Sequence, residues 1–172
     1  MDEPTVISRD LRLNLKRTLE DGALDIQDRY FALLATSVAS QHSELAGLAR
    51  RELVSRGARP EEIQEAAESA ALMAMLNTYY RFRHIVGNDE DYLAPGLRMT
   101  AFARPNVGKA RFEALAFAVS VVNGCDSCVR SHEKALRDLG FAVNQIHDLA
   151  RIASIVRGLQ TLGFASHSKD AQ

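Results

Sequence analysis

Apolar residues recur along this chain three and four positions apart, and no stretch sustains the every-second-residue alternation of a half-buried strand. Ala, Leu, Glu, Arg and Gln dominate these runs, and all five suit a helix. The pattern predicts an all-α protein, with helices near Ser8–Leu19, Asp25–Ser40, Ser43–Ser55, Pro60–Arg83, Val107–Val122, Cys125–Leu139 and Val143–Gly163. Residue type marks several ends. Gly57 and Gly140 follow apolar helical runs, as C-terminal caps do. Pro60 suits a first helical turn, where its missing N–H is no loss. Asn123-Gly124 breaks the chain ahead of the sixth helix. The stretch from Gly87 to Pro105 holds two of the four prolines and reads as a connector. Fraying is expected from about Ser166.

The order of these elements repeats. With a shift of 81 residues, Phe31, Leu34, Ala35 and Val38 fall on Phe112, Leu115, Ala116 and Val119, and Glu52 falls on Glu133. After a two-residue insertion the match resumes, with Gly57, Ile63, Ala67 and Thr78 on Gly140, Ile146, Ala150 and Thr161. The unit is helix, helix, glycine, helix, in copies of about 25–83 and 107–165 within one domain of residues 1–172. Ala- and Leu-rich helices also match by chance, but order, spacing and the glycine together favour a duplication.

Composition narrows the class. Apolar residues make up 47% of the 172, charged residues 25%, and the formal net charge is -1, as in an ordinary globular domain. With 21 basic residues against 22 acidic ones there is no basic field to attract nucleic acid or anionic lipid. The longest apolar run, Ala70 to Leu76, falls well short of the roughly 20 residues of a membrane span. Met1-Asp2-Glu3-Pro4 is acidic and unlike a signal peptide. A soluble, cytoplasmic protein is therefore expected. The chain has only two cysteines, three positions apart, where a secreted disulfide framework spreads more of them along the chain.

Those cysteines stand in Asn123-Gly124-Cys125-Asp126-Ser127-Cys128-Val129-Arg130-Ser131-His132. A C-x-x-C pair supports reversible disulfide formation, because its sulfurs can approach across one helical turn. The break at Asn123-Gly124 puts Cys125 at or near a helix start, where free N–H groups and the helix dipole favour an anion and so lower a thiol pKa. His132 lies four residues after Cys128 on the same helix face and can exchange a proton with that thiol. Glu113 is the only acid in the apolar stretch from Phe112 to Val119. If buried, its carboxylate needs a partner. A hairpin at Asn123-Gly124 brings His132 and Glu113 to similar depth, so that Glu113 can orient His132 or relay its proton. In the first repeat copy Glu44, Gly47 and Arg51 stand opposite Cys125, Cys128 and His132, and Ala32 opposite Glu113, so only the second copy carries the site.

Other readings of these residues stay open. C-x-x-C can be half of a zinc site, with His132 a third ligand, but no second Cys/His cluster follows. Two free cysteines can also be plain core residues. A thioredoxin-like fold needs βαβ flanks, which are missing. His42, His84 and His147 read as structural or surface groups, Tyr79, Tyr80 and Phe82 as core or subunit interface, and Met73, Met75 and Leu76 as core filling. No glycine-rich phosphate loop is present, and no bound cofactor is expected.

The run Phe117-Ala118-Val119-Ser120, Asn123-Gly124-Cys125, Cys128 and His132-Glu133 resembles the AhpD family of alkyl hydroperoxidases, within the carboxymuconolactone decarboxylase-like superfamily. The segment Tyr79-Tyr80-Arg81-Phe82-Arg83-His84 is also similar to that family, so the resemblance covers most of the chain. It implies an all-helical fold with a duplicated three-helix unit, assembled as a homotrimer. It implies an antioxidant enzyme that reduces organic hydroperoxides and re-reduces a partner peroxiredoxin, drawing electrons from the dihydrolipoyl groups of a 2-oxoacid dehydrogenase component. By the same resemblance Cys128 is the attacking thiolate that passes through a sulfenic acid. Cys125 is the proton donor and resolving thiol that closes a Cys125–Cys128 disulfide, and His132 and Glu113 form the proton relay. No metal is implied. One position departs from the family: Ser127 stands where relatives carry a second His. A hydroxyl can hold a water but carries no charge near neutral pH, so Cys128 is expected to stay active with a higher thiol pKa. Two further readings remain open: an adaptor serving only the peroxiredoxin, and a non-redox or lactone decarboxylase-like protein that shares only the fold.

Overall fold

The computed structural model describes residues 5–87 and 90–167, and among them every regular element is helical, as the apolar spacing predicts. The opening Met1–Pro4 lies outside the described residues, as does the stretch beyond His167 where fraying is expected, while Ser166 and His167 still belong to the last helix. The helices are α1 (Val6–Asp21), α2 (Ile26–Ala39), α3 (Ser43–Ser55), α4 (Pro60–Val86), α5 (Lys109–Asn123), α6 (Asp126–Asp138) and α7 (Val143–His167). A 3-10 turn, Thr100–Phe102, interrupts the connector between α4 and α5. None of the described helices is long and apolar enough to cross a membrane.

Local chemistry sets the ends. The Thr5 hydroxyl accepts the Ser8 N–H and starts α1, and the Asp25 carboxylate accepts the Gln27 N–H and starts α2. α4 opens with Pro60 in its first turn and with Glu62 Oε2 accepting the N-cap Arg59 N–H at 2.9 Å. It runs three residues past the expected Arg83 and stops where Gly87 turns left-handed at φ 69°. α5 starts at Lys109 and not at Val107, because Gly108 at φ 81° cannot join a right-handed helix.

α2 and α5 lie together at the centre. α2 packs on α3, α4, α5 and α7, and α5 on α4, α6 and α7. Phe31, Leu33, Leu34, Leu115, Ala116 and Val119 are fully buried between these layers. Each large apolar side chain there contributes about 1.5–3 kcal/mol. The link between α1 and α2 is fastened from far along the chain, because the buried Asp148 of α7 accepts the Ala23 and Leu24 N–H groups at 2.5 and 3.1 Å.

The helices α2, α3 and α4 are 14, 13 and 27 residues long, and α5, α6 and α7 are 15, 13 and 25. The ends of α3 and α6 use the same two bonds: Gly57 to Val54 and Ala58 to Leu53 in one, Gly140 to Arg137 and Phe141 to Leu136 in the other. These likenesses support the proposed duplication.

Candidate active site

The site is built where α5 turns into α6. Gly124 closes α5 at φ 66°, a left-handed conformation that a Cβ would strain, and its N–H bonds the Ser120 and Val121 carbonyls. The reversed chain lays α6 back along α5. Cys125 is the N-cap of α6, its carbonyl accepting the Val129 N–H at 2.9 Å. Cys128 follows one turn later. Their Cα atoms are 5.3 Å apart and their sulfurs are joined in a disulfide. The two sulfurs differ in access. Cys125 is fully buried, whereas Cys128, 6% exposed, lines a cleft of about 610 Å³.

Glu113 on α5 and His132 on α6 meet as the hairpin requires. Glu113 Oε2 lies 2.7 Å from His132 Nδ1, and both side chains are mostly buried. A carboxylate only accepts, so Nδ1 donates and Nε2 of a neutral ring is left free to accept a proton. His132 shares the cleft wall with Cys128, together with Ser127 and Ser131. All four sequence candidates therefore lie on one hairpin, the cysteines at its turn and the Glu113–His132 pair further along it.

The other walls were not legible beforehand. Met73, Leu76 and Tyr80 come from α4, and Met99 and Phe102 from the connector. Met73 and Leu76 are core residues as expected, yet they also face the cleft, whereas Met75, expected in the core with them, is 38% exposed. Sequence offers one signal for this wall: positions 73, 76 and 80 share a helix face.

Asn77 was also missed. It is fully buried and donates to Ser120 Oγ at 3.0 Å, while Asn123 Nδ2 donates to Asn77 Oδ1 at 2.9 Å and Arg81 Nη1 to the Asn123 carbonyl at 2.9 Å. α4 thereby holds the turn that leads into Cys125.

Charge around the motif is balanced at its outer edge. A hydrogen bond from Arg130 holds the Asp126 carboxyl below its ordinary value of 3.8, with the Ser127 N–H and His84 adding to the effect. Asp126 also sits in the first turn of α6, where the helix dipole favours an anion. The Ser127 hydroxyl turns inward, 3.6 Å from Cys125 Sγ. Of the other histidines, His42 caps α3 through Leu45 N–H and His84 is exposed beside Asp126, which makes both structural or surface groups as expected.

Comparison with known proteins gives a consistent picture. Residues 94–166, which include all four candidates, match the model of the carboxymuconolactone decarboxylase family. Proteins named alkyl hydroperoxide reductase AhpD are similar over nearly the whole chain. That of Anaeromyxobacter dehalogenans is 39% identical over 167 residues, covering 94% of this chain and 87% of its own. That of Mycobacteroides abscessus is 38% identical, with 88% and 86% covered. That of Rhodopseudomonas palustris is 37% identical, with 88% and 84% covered.

Proposed function

Because the chain belongs to the AhpD family of alkyl hydroperoxide reductases, we propose that it reduces organic hydroperoxides through a cycle of Cys125–Cys128 oxidation and reduction. The unequal access of the two sulfurs carries this reading. Cys128 faces a largely apolar cleft that suits an alkyl chain, beside His132, while Cys125 is held behind it at disulfide distance.

In the proposed reaction the Cys128 thiolate attacks the terminal oxygen of the hydroperoxide. The O–O bond breaks, the sulfur becomes a sulfenic acid, and the alkoxide leaves with a proton from Cys125. Cys125, now a thiolate, attacks the sulfenic sulfur, hydroxide leaves as water with the proton that His132 had taken from Cys128, and the disulfide closes. His132, oriented by Glu113, moves protons between Cys128 and the cleft. A dithiol returns two electrons and resets the pair. The family resemblance supports a dihydrolipoyl group on a 2-oxoacid dehydrogenase component as that dithiol, a peroxiredoxin as a second acceptor, and a cytoplasmic setting. It also supports a homotrimer, and a stripe of exposed apolar side chains at the end of α4 and just beyond, Phe82, Ile85, Val86 and Leu93, is compatible with subunit contact.

The test is a thiol count on reduced protein given one equivalent of an alkyl hydroperoxide, with the disulfide mapped by mass spectrometry. Both thiols should disappear into a Cys125–Cys128 bridge, and Cys128→Ser should abolish peroxide turnover. Full turnover by that variant refutes the mechanism. Turnover seen only when a peroxiredoxin is added identifies an adaptor instead.

A further inference from the structure

The cycle proposed above needs a proton to leave Cys125 and a negative charge to rest on it, yet its sulfur has no exposed surface. Two steps make this demand. In the oxidative half Cys125 must deliver its proton to an alkoxide lying in the cleft. In the reductive half a donor thiolate attacks Cys128 Sγ, the S–S bond breaks, and its electron pair leaves on Cys125 Sγ. Burial disfavours that thiolate, and a thiol of high pKa is a poor leaving group.

Ser127 stands between the two places. Its hydroxyl lies 3.6 Å from Cys125 Sγ, and the residue also lines the cleft with Cys128 and His132. Among the described residues no other side-chain hydrogen bond to that sulfur is seen. An O–H group donates and accepts at once, so it can hold a thiolate and hand a proton across. Ser127 is itself an exposed residue in the first turn of α6, next in the chain but one after the N-cap Cys125.

Resting on the dithiol cycle proposed above, we infer that Ser127 is a catalytic residue that steadies the Cys125 thiolate and passes its proton between the buried sulfur and the cleft. During reduction the donor dithiol loses two electrons and closes its own disulfide. Cys128 is released as the second thiolate, and the donor's two protons return to the pair, that of Cys125 by way of Ser127.

Two measurements without peroxide test this. The first is the ultraviolet thiolate titration of Cys125 in the Cys128→Ala background, with Ser, Ala or Thr at position 127. The second is the rate at which dithiothreitol reduces the disulfide of the otherwise native chain carrying the same three residues. Ser127→Ala should raise the Cys125 thiol pKa by about one unit, a tenfold change in its acid constant. It should also slow reduction by roughly threefold to tenfold. Ser127→Thr should restore both, which separates the hydroxyl from simple loss of packing. An unmoved pKa in Ser127→Ala, or a Thr variant as impaired as the Ala one, overturns the inference. Neither readout depends on hydroperoxide turnover, so failure of the proposed peroxidase activity would show separately.

Discussion

Glu113 reaches the cysteines only through His132, and replacing it with Gln isolates what its charge does. The variant keeps the shape of the side chain and removes the negative partner. In the native site Oε2 lies 2.7 Å from Nδ1, with 15% of the His132 and 17% of the Glu113 side chain exposed, so water screens the pair only in part. A hydrogen bond involving a charged group contributes about 1.5–3 kcal/mol. If that contribution is felt when His132 carries a proton, disulfide formation should slow by about 10- to 150-fold, since each 1.4 kcal/mol is a factor of ten. The assay is a single turnover of reduced protein with excess cumene hydroperoxide, quenched at intervals and read as remaining thiol. Thermal unfolding of the same variant should barely change, because an amide can still hydrogen-bond the ring. The double variant Glu113→Gln with His132→Gln should be no slower than His132→Gln alone, since the acid acts through the imidazole. A Glu113→Gln rate within twofold of native, or a double variant that loses the sum of both effects, refutes the relay.

Two further outcomes follow from the surrounding structure. Asn77→Ala removes two side-chain hydrogen bonds and leaves the fully buried Ser120 hydroxyl without a partner, so urea unfolding should show a loss of about 2–4 kcal/mol, and a loss under about 0.5 kcal/mol would contradict the network. Glu62→Gln should destabilise the protein by about 0.5–1 kcal/mol at pH 7 through the α4 cap. The Glu62 carboxyl is held below its ordinary value of 4.5, first by the Arg59 backbone N–H and then by the Arg59 side chain. Its stabilisation is therefore complete above that value and fades as pH falls through the lower, folded one. Denaturation at pH 7 and pH 3 should show the difference between native and variant shrinking at the acid end.

Helical spacing made the fold class legible because each helix buries a stripe against α2, α5 or α7, and burial writes a period of 3.6 into the sequence. Boundaries that depend on backbone hand were less visible. Gly108 delays α5, yet nothing in its neighbours announces a φ of 81°. The 3-10 turn at Thr100–Phe102 is too short to show any period. Within the site, Cys125, Cys128 and His132 could be read from spacing on one helix, and Glu113 from its isolation among apolar residues. The connector wall could not, since Phe102 is brought there by edge-on packing with Phe112, their ring centres 5.0 Å apart. Asn77 was hidden for a related reason. A polar residue in a helix looks the same whether it faces water or a buried hydroxyl.

Asp148 ties the junction of α1 and α2 to α7, across 125 positions of sequence at Ala23. While the chain is being made, the amides of Ala23 and Leu24 have no carboxylate to meet until the ribosome has released α7. α2, the central helix, also waits for α7 to cover one of its sides. A nascent chain stalled before Val143 should therefore hold α2, α3 and α4 as helices with a greasy flank still open, the kind of surface that chaperones bind. Final closure then comes from the late half folding down onto the early one, with Asp148 as its latch.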